Sequence, residues 1–178
     1  MAYRPTLLFA ILLLLAGCRK YKDPAPISDD RLDDRPYCND PSAVNYNWDF
    51  PGYPDNTVCI YPTQLFSGNY LYVDTLLSAE GLPLATDTFP LQITALDSTH
   101  LTLNGFCPGT PHTAKASRFF RFTLDSLVGN GQTFCGGKDT IAGGGTKSVI
   151  ADTLTFQLQY TLQTDTGAFS HKGTAFKQ

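Results

Sequence analysis

The sequence predicts an all-β protein whose main domain is an eight-stranded antiparallel meander closing into a small barrel. The first observation is composition: 178 residues include 15 glycines, a single glutamate (Glu80) and many threonines, a balance that suits strands and turns better than helices. The second is an unbroken alternation of apolar and polar residues over residues 154–162, typical of a strand with one face toward a core. No segment shows a convincing helical period.

The strands can be placed by this alternation and by the turn residues between them. We predict eight, near residues 67–75, 88–96, 99–106, 118–124, 131–135, 139–150, 153–162 and 168–177. Short amphipathic strands joined by tight turns leave no exposed edge when the sheet closes on itself. A β-sandwich is the alternative. The glycines at 143–145 predict a bend in a curved strand, since the glycine that a phosphate loop needs before Lys147 is missing.

Residues 1–17 have the parts of a secretory signal: Arg4, an apolar run over residues 7–15, and small residues at 16 and 17. The run is too short for a membrane-spanning helix, which needs about 20 residues. The motif Leu15-Ala16-Gly17-Cys18 resembles the lipobox of bacterial lipoproteins. This resemblance implies a cleaved signal peptide and a mature chain anchored to the membrane by acyl chains, such as palmitate, on Cys18. The expected location is the cell envelope, at the outer membrane.

Residues 18–37 are predicted to be a disordered tether because they combine prolines with a charge-dense run over residues 28–35 and have almost nothing to bury. Some Bacteroidota lipoproteins carry acidic residues soon after the lipidated cysteine and reach the cell surface. Here the basic residues Arg19, Lys20 and Lys22 come first. The periplasmic and the surface face of the membrane therefore both remain open.

Residues 38–62 form a second unit. They contain Cys38-Asn39-Asp40-Pro41-Ser42-Ala43-Val44-Asn45-Tyr46-Asn47 and end in Cys59-Ile60-Tyr61. This pattern resembles a short cysteine-bounded module of secreted Bacteroidota proteins, Cys-x-Asp-Pro-x-Ala-x-Asn-Tyr-Asn with a closing Cys-x-Tyr. Its acidic residues do not have the spacing of an EF-hand, so we interpret them as turn residues of a stapled loop.

With Cys18 assigned to lipid, Cys38, Cys59, Cys107 and Cys135 remain, an even number in an exported chain. We favour the pairs Cys38–Cys59 and Cys107–Cys135, because each falls within one apparent structural unit. By closing a loop, each disulfide would stabilise the fold by about 3–4 kcal/mol in the chain-entropy model. A metal site of Cys107, His112 and Cys135 is the alternative, but no Cys-x-x-Cys pair accompanies it.

Residues 63–178 resemble the lipocalin-like small barrels. The segment Phe66-Ser67-Gly68-Asn69-Tyr70 is similar to the Gly-x-Trp element that opens a lipocalin, with Tyr70 in place of the tryptophan. Residues 171–177 are similar to the last strand of many exported members. The resemblance implies a barrel that encloses a small, mostly apolar ligand.

The composition argues against several functions. The 13 basic residues do not cluster, whereas nucleic-acid binding needs a concentrated positive surface. His100, His112 and His171 are scattered, and no catalytic constellation can be assembled from the sequence. We therefore expect a protein that is not an enzyme and has no metal or cofactor.

Two kinds of binding remain. In the first, the barrel binds a small apolar ligand, lined by aromatic residues of its strands: Tyr70, Tyr72, Phe120, Phe122, Phe156 and Tyr160. In the second, the domain is an interaction module that binds a protein or a glycan through loops such as residues 105–116. A roomy apolar cavity favours the first, and a packed interior with an exposed aromatic patch favours the second. Partners beyond the membrane, and the oligomeric state, stay open.

Overall fold

A computed structural model describes residues 33–47, 51–125, 132–148 and 154–178. The predicted signal peptide, the lipidated Cys18 and most of the predicted tether lie outside these residues. Within these four ranges, no helix is both long enough and apolar enough to cross a membrane.

The described elements are short strands, one helix and one 3-10 turn. A two-residue parallel pair, β1 (Pro36–Tyr37) and β2 (Tyr53–Pro54), precedes a 3-10 turn (Asn56–Val58) and the helix α1 (Pro62–Phe66). The other strands are β3 (Gly68–Leu77), β4 (Pro83–Ala95), β5 (His100–Cys107), β6 (Thr110–Ser117), β7 (Arg121–Leu124), β8 (Gln132–Thr133), β9 (Thr140–Thr146), β10 (Thr155–Thr164) and β11 (Gly167–Lys177).

Eight of these strands form a closed antiparallel barrel in the order β10-β11-β3-β4-β5-β6-β7-β9. The sheet closes because β9 also pairs with β10, from Gln157 opposite Thr146 to Gln163 opposite Thr140. The prediction of a lipocalin-like small barrel is confirmed, and the closure rules out the sandwich alternative. The strand β8 lies outside this ring and pairs only with the start of β9.

The number of barrel strands was predicted correctly, but one barrel strand, β6, was missed and another was predicted at residues 131–135, outside the barrel. Residues 105–116, expected to be a binding loop, instead contain the end of β5, a tight turn at Pro108-Gly109 and most of β6. Residues 131–135 were expected to be a barrel strand, but the described part of this segment, residues 132–135, contributes only the two residues of β8. The apolar/polar alternation of β6 is weak in the sequence because alanines at 114 and 116 occupy core positions where other strands have large apolar residues.

Both predicted disulfides, Cys38–Cys59 and Cys107–Cys135, are present. In the N-terminal module, the Asp40 carboxylate accepts a bond from the Ser42 backbone N–H at 2.9 Å, which makes the expected side-chain turn. The module contacts the barrel through Arg118, whose Nη1 donates to the Pro41 carbonyl at 3.3 Å and whose guanidinium lies 5.6 Å from the Tyr46 ring centre.

One end of the barrel is filled by α1. Its last residue, Phe66, is fully buried and packs edge-on against Phe122 at 5.0 Å and Phe156 at 5.9 Å between ring centres. The Tyr70 hydroxyl donates to the Phe66 carbonyl at 2.9 Å, and burial raises the pKa of Tyr70 to about 12. We call this the closed end of the barrel.

Glycines make room for the large rings inside the barrel. A Cβ added to Gly145 on β9 would lie 2.3 Å from Cε1 of Phe122 on the neighbouring strand β7. A Cβ added to Gly173 on β11 would lie 2.7 Å from the Tyr72 hydroxyl and 2.1 Å from the Val73 carbonyl oxygen. The barrel is therefore so tightly filled that these two positions accept no side chain without a shift of their neighbours.

We predict that Gly145→Ala lowers the free energy of unfolding by about 1–3 kcal/mol, because the added methyl overlaps the buried Phe122 ring. Gly137→Ala is the matched control: its Cβ would meet nothing closer than 3.5 Å, and we expect a change within about 0.5 kcal/mol. Urea denaturation of both variants measures the difference. Equal stability of the two would show that the interior is looser than described.

Candidate functional site

The candidate site lies at the end of the barrel opposite Phe66, which we call the mouth. We define it by the inward-facing residues Asp74, Phe89, Phe106, His112, Tyr160 and His171, together with Phe134 beside them. The tight turns β3–β4, β5–β6 and β10–β11 surround this end. The Cys107–Cys135 disulfide joins the end of β5 to the segment after β8 and so ties two sides of the mouth together.

A β-bulge turns Phe106 into the barrel. On β5, Leu101 and Leu103 face the core, so strict alternation would turn Phe106 outward. Between Leu103 and Cys107, β5 carries two residues more than the facing part of β6, and this irregularity redirects the side chain. Gly105 permits the bulge, because it has φ +143° and its Cβ would lie 2.3 Å from the Pro90 carbonyl oxygen.

Phe106 is the centre of an aromatic layer across the mouth. Its ring centre lies 6.0 Å from that of Phe89, 5.5 Å from His112 and 5.2 Å from Tyr160. Phe134 adds a further ring 5.9 Å from His112. These contacts span strands β4, β5, β6 and β10. Phe89, Phe106 and Phe134 are only partly buried, so the layer presents an apolar surface that is reachable from solvent.

Beside this layer, Asp74 holds a polar cluster together. Its carboxylate accepts hydrogen bonds from the hydroxyls of Tyr72 at 3.1 Å and Tyr160 at 2.9 Å, and Nδ1 of His171 lies 2.7 Å from its Oδ2. The His171 ring stacks on the Tyr160 ring, with 4.7 Å between centres and 7° between planes. A carboxylate that is only 6% exposed thus has three donors, which is what a buried charge requires.

The cluster forms because of where its residues stand in the barrel. Asp74 follows Tyr70 and Tyr72 in the inward alternation of β3, and its neighbour on β11 is Gly173. Without a side chain at Gly173, the Tyr72 hydroxyl can reach both Asp74 and the Leu158 carbonyl oxygen, at 3.2 Å. Burial, and then the Asp74 charge, raise the pKa of the Tyr72 hydroxyl well above its usual value, so Tyr72 donates at neutral pH.

His112 is the unusual residue of the mouth. It is 1% exposed, yet neither ring nitrogen has a hydrogen-bond partner among the described residues. Burial lowers the pKa of His112, and the Thr133 backbone, which opposes this shift, does not meet hydrogen-bond geometry with either ring nitrogen. The imidazole is therefore neutral at pH 7 and offers one donor and one acceptor, neither of which is used by the described chain.

The predicted lining residues are partly confirmed as inward-facing. Tyr70, Phe122 and Phe156 face inward near the closed end, where they pack around or bond to Phe66. Tyr72 and Tyr160 also face inward and bond to Asp74. The placement of Phe120 on a strand is wrong: β7 begins only at Arg121, and Phe120 lies in the preceding turn with φ 59°. Whether any of them binds a ligand stays a prediction.

Four residues that make the mouth distinctive were not predicted as site residues, namely Asp74, Phe89, Phe134 and His171. Phe106 and His112 were predicted only as part of the binding loop 105–116, and His112 also as a metal ligand in the alternative site. For Asp74 a signal existed, because it occupies an inward position in the alternation of β3. Asp74 and His171 stand 97 residues apart, so only the barrel register brings them together.

The metal alternative for Cys107, His112 and Cys135 is wrong, because both cysteines are in a disulfide. Over the described ranges, no group of three or more His, Cys, Asp or Glu residues is arranged to hold a metal ion.

Comparisons with known proteins give little further information. No protein family matches the sequence, and a search of curated proteins finds no match. Among solved structures, a structural-genomics protein of unknown function from Bacteroides ovatus is similar at a TM-score of 0.36 and 12% identity, over 83% of this chain and 53% of that one. This chain thus spans about half the length of that protein.

We predict that His112 makes the fold less stable in mild acid. Because the folded state holds His112 neutral with a lowered pKa, the unfolded chain binds more protons as the pH falls below about 6.5, and stability is lost. His112→Leu has a similar volume and removes this effect. The free energies of unfolding of the two proteins, measured by urea denaturation from pH 7.5 to pH 5, should therefore diverge in favour of the variant as the pH falls. A difference that does not change with pH contradicts the neutral, buried imidazole.

Proposed function

We propose that this protein is a lipid-anchored envelope lipoprotein whose barrel binds a small, mostly apolar and uncharged ligand at its mouth. One observation carries the proposal: His112 is buried with both ring nitrogens unpartnered among the described residues. Leaving a buried polar group without a partner costs about 1–3 kcal/mol, which an apolar residue of similar size would avoid. A residue that makes the fold less stable and contacts the aromatic layer is best explained by binding.

The neighbours of His112 indicate the class of ligand. The half-buried rings of Phe89, Phe106 and Phe134 offer apolar contact, which is worth about 25 cal/mol for each Å² removed from water. A neutral imidazole can bond to a hydroxyl or an amide of the ligand, since each provides both a donor and an acceptor. The ligand therefore has an apolar body with one such polar group.

The charges near the mouth support an uncharged ligand. Asp74 is already bonded to three donors, so its role is to hold Tyr160 and His171 in place at the edge of the aromatic layer. Asp87, opposite Asp74 on β4, is exposed at the rim and disfavours an anion there. A cation would have to leave water for a site where the one buried carboxylate among the described residues, Asp74, is already bonded to three donors.

The second candidate function is the interaction module. It is supported by the interior itself, which is filled by packed rings near the closed end and spanned by the aromatic layer at the mouth. The version of this function that relies on residues 105–116 as a loop is not proposed again, because these residues form a hairpin.

We predict that the barrel takes up N-phenyl-1-naphthylamine, a neutral apolar fluorophore with one N–H group, with saturable fluorescence enhancement. His112→Leu should weaken this binding by about tenfold, the effect of one lost hydrogen bond of about 1.4 kcal/mol, while thermal stability is retained or raised. His100→Leu is the matched control: His100 is partly exposed and pairs with Asp97 near the closed end. Absence of saturable uptake by the parent protein, or equal affinity in His112→Leu, would reject the mouth as the site.

We predict that Cys18→Ser releases the protein from the membrane fraction or leaves its signal peptide uncut. The reason is that several acyl chains on one cysteine give stable anchoring, which the polar tether cannot provide. Cell fractionation with mass spectrometry of the N-terminus measures both outcomes. An unmodified N-terminus at another residue in the wild-type protein would show that the lipid-anchor prediction is wrong.

A further inference from the structure

The outer wall of the barrel over β10, β11, β3 and β4 is nearly free of charge. Alternation and register turn the following residues outward: Thr155, Gln157, Gln159, Thr161 and Gln163 on β10; Ala168, Ser170, Lys172, Thr174 and Phe176 on β11; Asn69, Leu71, Val73, Thr75 and Leu77 on β3; Thr86, Thr88, Pro90, Gln92 and Thr94 on β4. Lys172 is the single charged residue of this set. Charged residues make up about 25% of an average soluble protein, so this wall departs clearly from the norm.

Part of this wall is a groove. It has a volume of about 680 Å³ and runs over the outward side chains of β10, β11 and β3, with Gly81 of the β3–β4 connection and Pro83 at the start of β4 along one border. Phe176 lies in it and is 44% exposed, and its partner across the strands, Leu71, is 40% exposed. An aromatic ring thus stands open to solvent among threonine and glutamine side chains.

Lys172 stands in this groove, flanked by Gln159 on β10 and Thr75 on β3. Among the described residues, no acidic side chain lies within ion-pair distance of its ammonium group. On the same side, Gln157 Nε2 donates to the Thr174 hydroxyl at 2.9 Å, which fixes the orientation of both groups. The groove therefore combines neutral donors and acceptors held on rigid strands, one open ring and one unpaired cation.

We propose that this groove binds a glycan that carries an acidic sugar, with the carboxylate against Lys172 and a sugar ring over Phe176. Amide and hydroxyl groups on fixed strands match the many hydroxyls of a sugar, and the apolar C–H face of a sugar packs against an exposed phenyl ring. A nucleic acid would need several clustered cations, and a membrane surface would need a larger apolar area with more basic residues. A protein partner would favour arginine, tyrosine and tryptophan over threonine and glutamine.

This proposal is independent of the ligand proposed for the mouth. The groove lies on the outer side of the wall, whereas the mouth residues face the interior, so the two sites share no side chain. A substitution at His112 leaves the groove intact, and a substitution at Lys172 leaves the mouth intact.

The test is isothermal titration of the full chain, purified in a detergent without a sugar head group, with trigalacturonic acid and with the neutral trisaccharide maltotriose. We expect saturable binding of trigalacturonic acid that Lys172→Gln weakens at least fivefold. Lys115→Gln is the matched control, since Lys115 is exposed on β6, on the other side of the barrel. Phe176→Ser should also weaken binding, whereas Phe119→Ser, which alters an exposed ring near the closed end, should not.

Thermal unfolding of each variant shows whether a loss of binding reflects a loss of fold. Binding that Lys172→Gln abolishes while its melting temperature is unchanged supports the proposal. No heat of binding with trigalacturonic acid, equal affinity in Lys172→Gln, or equal affinity for maltotriose would each overturn it.

Discussion

Several of the large rings inside this eight-stranded barrel occupy space that a glycine on a neighbouring strand leaves open, and the site depends on this constraint. Phe122 occupies the space beside Gly145, and the Tyr72 hydroxyl occupies the space beside Gly173. Because Tyr72 can lie there, its hydroxyl reaches Asp74. Asp74 in turn fixes the hydroxyl of Tyr160, against whose ring Phe106 packs. The space left at Gly173 therefore determines, through this chain of contacts, where the rings of Tyr160 and Phe106 lie at the mouth.

The two ends of the barrel use polar groups in opposite ways. Near the closed end, the Tyr70 hydroxyl is buried but bonded to the Phe66 carbonyl, so it does not weaken the fold. At the mouth, His112 is as deeply buried as Tyr70 but bonds to none of the described residues. Packing of the described residues alone gives no reason for an imidazole at this position. This contrast is the reason for assigning binding to the mouth and stability to the closed end.

The sequence predicted the barrel because apolar and polar residues alternate without a break in strands such as β10. The apolar residues of this strand are the ones that the structure buries, namely Phe156, Leu158 and Tyr160. It did not predict β6, since its inward residues Ala114 and Ala116 are small and give weak alternation. The bulge that turns Phe106 inward breaks the period of two, so alternation alone could not place that ring. The Asp74–His171 contact depends on the pairing of β3 with β11, which are at opposite ends of the domain sequence.

The central claim is that the mouth is built around a ligand that bonds to His112. Native mass spectrometry of the protein purified gently from the cell envelope tests this most directly, with His112→Leu prepared in parallel. The account predicts a bound small molecule of defined mass on the parent protein and its absence from the variant. N-phenyl-1-naphthylamine added to the parent protein serves to show that the conditions preserve complexes at the mouth. The claim would be contradicted if the parent protein were detected only at the mass of its lipid-modified chain, or if both proteins carried the same bound molecule.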